Sequence, residues 1–254
     1  MFLISAGCAH RSGTMQSGPS AVTDQQTEDQ KSAQANKADQ DPDDAEYSED
    51  EEILVVADPI YPWNFAMYHF NDKLYFWLLK PVATGYKFIF PHFVRVGVRD
   101  FFQNLGTPVR LVNSLFQLKI EGAGRELSRF VVNTTVGVLG FWDPAKSLME
   151  IEPCDEDLGQ TLGYYGVGNG FYIVWPVLGP STLRDTFGRV GDTFLDPVTY
   201  IDPWWVRLSI TGLKSVNGTS LRLGDYEEFK RISFDPYTAL QDGYIQSRQS
   251  KVDE

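Results

Sequence analysis

The sequence predicts an all-α protein, a single domain of amphipathic helices interrupted by one glycine-rich loop. Three observations predict it. Apolar residues recur at helical spacing in several separate stretches, most clearly Val94, Val98, Phe101, Phe102 and Leu105, with Arg95, Arg99, Asp100 and Gln103 between them. The run Leu74-Tyr-Phe-Trp-Leu-Leu79 is apolar all round, which suits a helix buried in protein or lying in lipid, and it is too short to span a bilayer. Between Asp157 and Arg184 there is no charged side chain. That segment is long enough to cross a membrane but cannot do so as a helix: Gly159, Gly163, Gly166, Gly168, Gly170 and Gly179 cost roughly 1 kcal/mol each in a helix interior, and Pro176 and Pro180 about 3 each. An uncharged, aromatic, glycine-broken stretch belongs either in a protein interior or at membrane depth beside a cavity, where its backbone polar groups can find partners.

The first residues stand apart. Met1 to Gly7 form a short apolar run ending in small residues before Cys8, as in the tail of a lipoprotein signal peptide, so residues 1–8 are read as the remnant of such a signal with Cys8 lipidated. Residues 9–57 are rich in Gln, Ser, Asp and Glu and bury too little apolar surface to offset their ordering entropy, which predicts an acidic, disordered linker. Up to Ala57 the chain carries twelve acids and three bases, a charge of -9; the whole chain carries -12, so residues 58–254 hold only -3. No basic patch points to nucleic acid.

Within residues 58–254 the elements follow in order. Asp58-Pro59 is a helix-start signal, the helix over Trp63–Leu79 comes next, and Pro81 is expected to end or kink it. The amphipathic helix over 93–105 is broken at Gly106-Thr-Pro108 and resumes from Val109 to Lys119 with Val112, Leu115 and Phe116 on one side. After Glu121-Gly-Ala-Gly124 a further helix sets Leu127, Phe130, Val131 and Val138 against Arg125 and Arg129, closed by Gly137, Gly140 and Asp143-Pro144. Pro180-Ser181 offers an N-cap to a helix carrying Leu183, Phe187, Val190 and Phe194. Trp204 and Trp205 beside Arg207 fit either a helix end at headgroup level or two indoles capping a core. A short last helix and a frayed tail are expected from Ser233 onward.

Little in the chain suggests catalysis. His10, His69 and His92 lie outside metal-ligand spacing of one another and of Cys154, and no nucleophile elbow occurs. Gly166-x-Gly168-x-Gly170 lacks the strand, helix and distal acid of a dinucleotide fingerprint. Asp155, Glu156 and Asp157 are expected to pair with Arg184 or Arg189. No catalytic residue, cofactor or metal ligand is assigned.

Fourteen short motifs run in unbroken order from about residue 58 to 248. They include Trp63-Asn-Phe65, Phe70-Asn-Asp72, Arg129-Phe-Val-Val-Asn133, Asp157-Leu-Gly-Gln-Thr-Leu-Gly163, Tyr165-Gly-Val-Gly168, Leu178-Gly-Pro-Ser181, Leu183-Arg-Asp185 and Asp235-Pro-Tyr237. Together they resemble the MlaA (VacJ) lipoprotein family. The resemblance implies a ring-like helical lipoprotein lying in the inner, periplasmic leaflet of the outer membrane around an amphipathic channel. It implies removal of mislocalised phospholipid from the outer leaflet, delivery to a soluble periplasmic lipid carrier, and association with trimeric porins. Gly166 and Gly168 would flank a hairpin loop beside the channel and act as its hinge, their permissive φ suiting that role. Tyr164, Tyr165, Asn169 and Tyr172 are candidates for facing the lipid, and Arg207 falls near a basic channel position. A porin-docking adaptor without transport and a periplasmic phospholipase are the alternatives.

Overall fold

The computed structural model describes residues 56–254; Cys8 and nearly all of the acidic linker lie outside the described residues. The fold is helical with one small hairpin. In chain order the elements are α1 (Tyr61–Leu74), a π-helical turn (Tyr75–Leu79), α2 (Lys80–Ile89), α3 (His92–Leu105), α4 (Thr107–Phe116), α5 (Ile120–Thr135), α6 (Pro144–Ser147) and α7 (Leu158–Tyr164). Strands β1 (Tyr172–Trp175) and β2 (Gly179–Thr182) follow, then α8 (Leu183–Asp192), a 3-10 turn (Pro197–Tyr200), α9 (Trp204–Leu221), α10 (Asp225–Ile232) and α11 (Pro236–Asp253).

Several boundaries differ from the sequence expectation for identifiable reasons. Pro81 does not end the first helix. The turn before it widens to π geometry, with the Lys80 amide reaching back five residues to the Tyr75 carbonyl, so the proline joins the first turn of α2 and the chain stays helical to Ile89. Asp58 is no cap; its carboxylate instead accepts from Asn64 (2.7 Å) and from the Tyr237 hydroxyl. Gly122 and Gly124 sit inside α5. A Cβ at Gly122 would make ordinary contact with the Cys154 thiol at 3.4 Å, and one at Gly124 would meet nothing within 4 Å, so neither glycine breaks the helix. Thr182 rather than Ser181 caps α8, accepting from the Asp185 amide at 3.2 Å. The last helix runs for 18 residues and is not frayed.

The amphipathic helices are inside out. On α3 the buried positions are Arg95, Gly97, Asp100, Phe102 and Asn104, while Phe93 is exposed; on α5 Gly122, Ala123, Glu126, Arg129 and Asn133 are buried, while Leu127, Phe130 and Val131 are exposed. Among the described residues twenty buried side chains are polar or charged and twelve are apolar, whereas forty large apolar side chains are exposed. Soluble domains rarely leave contiguous apolar surface on that scale. No helix among the described residues is long and apolar enough to cross a membrane.

One region keeps the ordinary polarity. Tyr68 of α1, Tyr172 and Val174 of β1, and Tyr237 and Leu240 of α11 form a buried apolar cluster. β1 pairs antiparallel with β2 in the register Tyr172↔Thr182 to Trp175↔Gly179.

Candidate functional site

The uncharged segment divides into a helix, an open loop and a held hairpin. α7 is only seven residues long, so its start depends on capping. The Asp157 carboxylate accepts from the Gln160 amide (2.9 Å), and both oxygens of Asp192 approach the Leu158 amide at 3.1 and 3.2 Å. Asn113 of α4 ties the same turn inward, donating to Asp192 (2.9 Å) and accepting from the Thr161 hydroxyl (2.9 Å).

The acidic cluster is paired, but not with the expected arginines. Asp157 and Asp185 share Arg248 of α11, at 2.7 and 2.9 Å; Glu156 pairs with Lys119, Asp155 with Lys251, and Arg184 with its neighbour Asp185. Burial would raise the Asp157 carboxyl, but the charge and hydrogen bonds of Arg248 overcome it and hold the group down at about 2. Asp185 is lowered by the same balance. Sequence reading missed Arg248 because its partners lie 63 and 91 residues away.

The hairpin is fixed along its outer edge by side chains of α1. Asn64 donates to the Tyr172 carbonyl (2.9 Å) and accepts from the Val174 amide (2.7 Å); Asn71, seven residues on, donates to the Trp175 carbonyl (2.9 Å) and accepts from the Val177 amide (2.7 Å). Trp63 adds a bond from its indole to the Val174 carbonyl. Two asparagines two helical turns apart thus do for β1 what a third strand would do. They sit inside the Trp63-Asn-Phe65 and Phe70-Asn-Asp72 motifs, which were the available signal.

The loop between α7 and β1 is the open part. Gly166 has φ +83°, and neither it nor Gly168, whose φ is not positive, has any atom within 4 Å of an added Cβ. Of these two, Gly166 requires glycine by conformation; Gly170, at the end of the same loop, does so too, with φ +68° and the Leu183 Cβ 2.8 Å from where its own would stand. Tyr164 and Tyr165 are exposed, their rings edge to face at 5.3 Å, and the Tyr165 hydroxyl donates to the Phe116 carbonyl at 2.5 Å. Asn169 is half-buried and its carbonyl accepts from the Arg184 amide.

Two of the candidate residues lie elsewhere. Tyr172 is fully buried in the apolar cluster, its ring 6.4 Å from that of Tyr237; Ile173 on the other face of β1 is buried as well, so the strand is covered on both sides and Tyr172 is not on an open surface. Burial raises its phenol. Arg207 is on α9, half-buried, and donates to the Thr199 carbonyl at 2.7 Å. Among the described residues no hydrogen bond or ring contact joins it to the glycine loop.

Between α3, α4 and α5 lies a cavity of about 10 Å³, room for about one water, whose lining residues are all polar or charged, Asp100, Asn104, Arg110, Arg129, Asn133 and Asp143 among them. Its charges are paired: Arg129 with Asp143 at 2.6 Å, and Arg110 with the fully buried Glu126 at 2.8 Å. Burial raises the Asp100 carboxyl, with Arg99 opposing. Among the described residues no group of His, Cys, Asp and Glu could hold a metal ion.

The family model described as MlaA lipoprotein matches residues 56–251. The chain belongs to the MlaA lipoprotein family. It is 33% identical over 195 residues to the intermembrane phospholipid transport system lipoprotein MlaA of Escherichia coli K12, covering 75% of this chain and 76% of that protein. The MlaA of Haemophilus influenzae is 28% identical over 218 residues (83% and 85% covered), and an uncharacterised protein of Rickettsia felis is 30% identical over 200 residues (78% and 79%). A chain solved in work on the structural basis for maintenance of bacterial outer membrane lipid asymmetry superposes with a TM-score of 0.67 at 29% identity, covering 77% of this chain and 99% of that one. The helical fold of the MlaA family is thus the fold of this chain.

Proposed function

We propose that this protein is a non-enzymatic phospholipid channel of the outer membrane. It takes mislocalised phospholipid from the outer leaflet and passes it to a soluble periplasmic carrier, and so keeps the two leaflets different. The single observation that carries the proposal is the inverted polarity of the helices. A phospholipid has a charged head and apolar tails, so a protein that handles it in the bilayer needs polar groups gathered away from lipid and an apolar exterior. α3 and α5 present that arrangement, with paired charges inside and Leu127, Phe130 and Val131 outside. The names of the relatives from Escherichia coli and Haemophilus influenzae support the same substrate.

In this reading the helical domain of residues 58–254 is a ring in the periplasmic leaflet, anchored by a lipidated Cys8 through the acidic linker of residues 9–57 and docked on a trimeric porin. The loop with Gly166 and Gly168 borders the passage as its hinge, with Tyr164, Tyr165 and Asn169 nearest the lipid, and Arg207 attracts the phosphate. A deletion strain scored for phospholipid in the outer leaflet, with this chain supplied back, tests the proposal. Restored asymmetry is the expected result. Failure of a correctly localised chain to restore it would count against the channel.

A further inference from the structure

We propose that the polar cavity between α3, α4 and α5 is a binding site for one ordered water, which joins Asn104 of α3 to Arg129 of α5. Both residues line the cavity and both are more than nine-tenths buried. Each has one polar atom without a protein partner: the Asn104 carbonyl oxygen Oδ1, which can only accept, and the Arg129 Nε–H, which can only donate. Their other polar atoms are committed. The Asn104 side-chain amide donates to the Thr134 hydroxyl at 3.0 Å, and the two Nη atoms of Arg129 donate to Asp143 at 2.6 Å and to the Ile151 carbonyl. The neighbouring walls are satisfied likewise, Asn133 by Asp143 and the Ala145 amide, Arg110 by Glu126 and Thr107.

Size, charge and surroundings agree on water. A volume of about 10 Å³ is near the lower limit for one water and too small for a larger guest. Two carboxylates, Asp100 and Asp143, and two guanidiniums, Arg110 and Arg129, stand in the walls, so neither a cation nor an anion gains net attraction there. A water can accept from Arg129 Nε and donate to Asn104 Oδ1. Its second proton can go to Asp100, whose Oδ1 takes both Arg99 bonds, leaving Oδ2 to accept. Three bonds are the usual complement of a buried water. The opposite faces of α3 and α5 carry exposed Phe93, Leu127, Phe130 and Val131, so an unmet donor or acceptor cannot turn outward to a polar surface. The water thus adds a second polar link between α3 and α5 beside the Asn104–Thr134 bond.

A crystal structure of the full-length chain in detergent, at a resolution that orders solvent, tests the site. A peak within about 3.2 Å of both Asn104 Oδ1 and Arg129 Nε is the expected result. A dry cavity overturns the proposal, and so does an anomalous peak there after a bromide soak, which would make the guest an anion. Two variants give an independent reading in solution. Thr134→Val removes the direct bond and leaves the water its partners; Asn104→Leu removes that bond and the water's acceptor together. Hydrogen exchange across the last turn of α3 should run about fivefold faster in Asn104→Leu than in Thr134→Val, the difference of one ordinary hydrogen bond. Equal exchange in the two variants would mean that Asn104 Oδ1 holds no water, and overturns the bridge. If Asn104→Leu does not fold, the wild-type density alone decides.

Discussion

The cluster around Tyr68, Tyr172 and Tyr237 and the polar interior of α3 to α5 solve opposite problems with the same kind of helix. The first buries aromatic and aliphatic groups and is stabilised by their removal from water. The second buries charges, which is favourable only when each is paired and hydrogen-bonded. Glu126 shows how closely the second is satisfied: one oxygen meets Arg110, and the other accepts from the Cys154 amide at 2.8 Å. The first region tolerates a poor fit at a graded cost. The second fails sharply when one partner is lost.

That contrast can be broken or sharpened by substitution. Glu126→Ala strands the Arg110 charge and the Cys154 amide together and should destabilise by about 3–5 kcal/mol in denaturant titration. Leu240→Ala, in the apolar cluster, should cost about 2–5 kcal/mol at most, depending on how far the site relaxes. A Glu126→Ala protein as stable as the wild type would mean that the interior charges are not held as pairs. Asn64→Ala joins the two regimes, because it removes a polar group from beside the apolar cluster. It leaves the Tyr172 carbonyl and the Val174 amide without partners, at about 1–3 kcal/mol for each orphaned group, and should raise hydrogen exchange of β1 above that of β2.

Acid should separate the regions further. The Asp157 and Asp185 carboxyls are held below their ordinary range, so their contribution to stability is complete above about pH 4 and is lost as pH falls toward 2. Asp100 is shifted the other way: a raised carboxyl favours the folded state once protonated, so the α3–α5 interior should not weaken over the same window through that group. Exchange protection of α11 should therefore fall first on acidification, and Arg248→Gln should remove most of that pH dependence. The smallest effect belongs to the exposed apolar face. Phe130→Asn should change unfolding by no more than about 0.5 kcal/mol while weakening partition into vesicles.

The helical class was legible in the sequence, since α3, α5 and α8 keep a 3.6-residue period and Gly106-Thr-Pro108 breaks where expected. The direction of their faces was not. Periodicity divides a helix into two sides but carries no sign, and an apolar stripe reads the same whether it meets a core or a lipid. At the site, the open loop at Gly166 and Gly168 was readable from glycine spacing. The burial of Tyr172 was not, because it follows from α1 and α11 packing over a strand that was not expected there. Arg248 and the two asparagines of α1 act across 63 to 110 residues of sequence, and local pattern has no access to such distances. That the helix would run on past Pro81 was hidden for a different reason: a π turn is a backbone solution that residue propensities do not encode.

The outward apolar face also settles what an optical probe of this protein would report. Of the six tryptophans, Trp63, Trp77, Trp142, Trp204 and Trp205 stand exposed in the folded chain. Their emission should therefore shift to the blue when the folded protein moves from detergent-poor buffer into vesicles, with no change in helix content. A dye that lights up on apolar surface should likewise glow with the native state. For this chain such signals measure the surrounding solvent, and folding has to be followed through the buried tyrosines and the backbone.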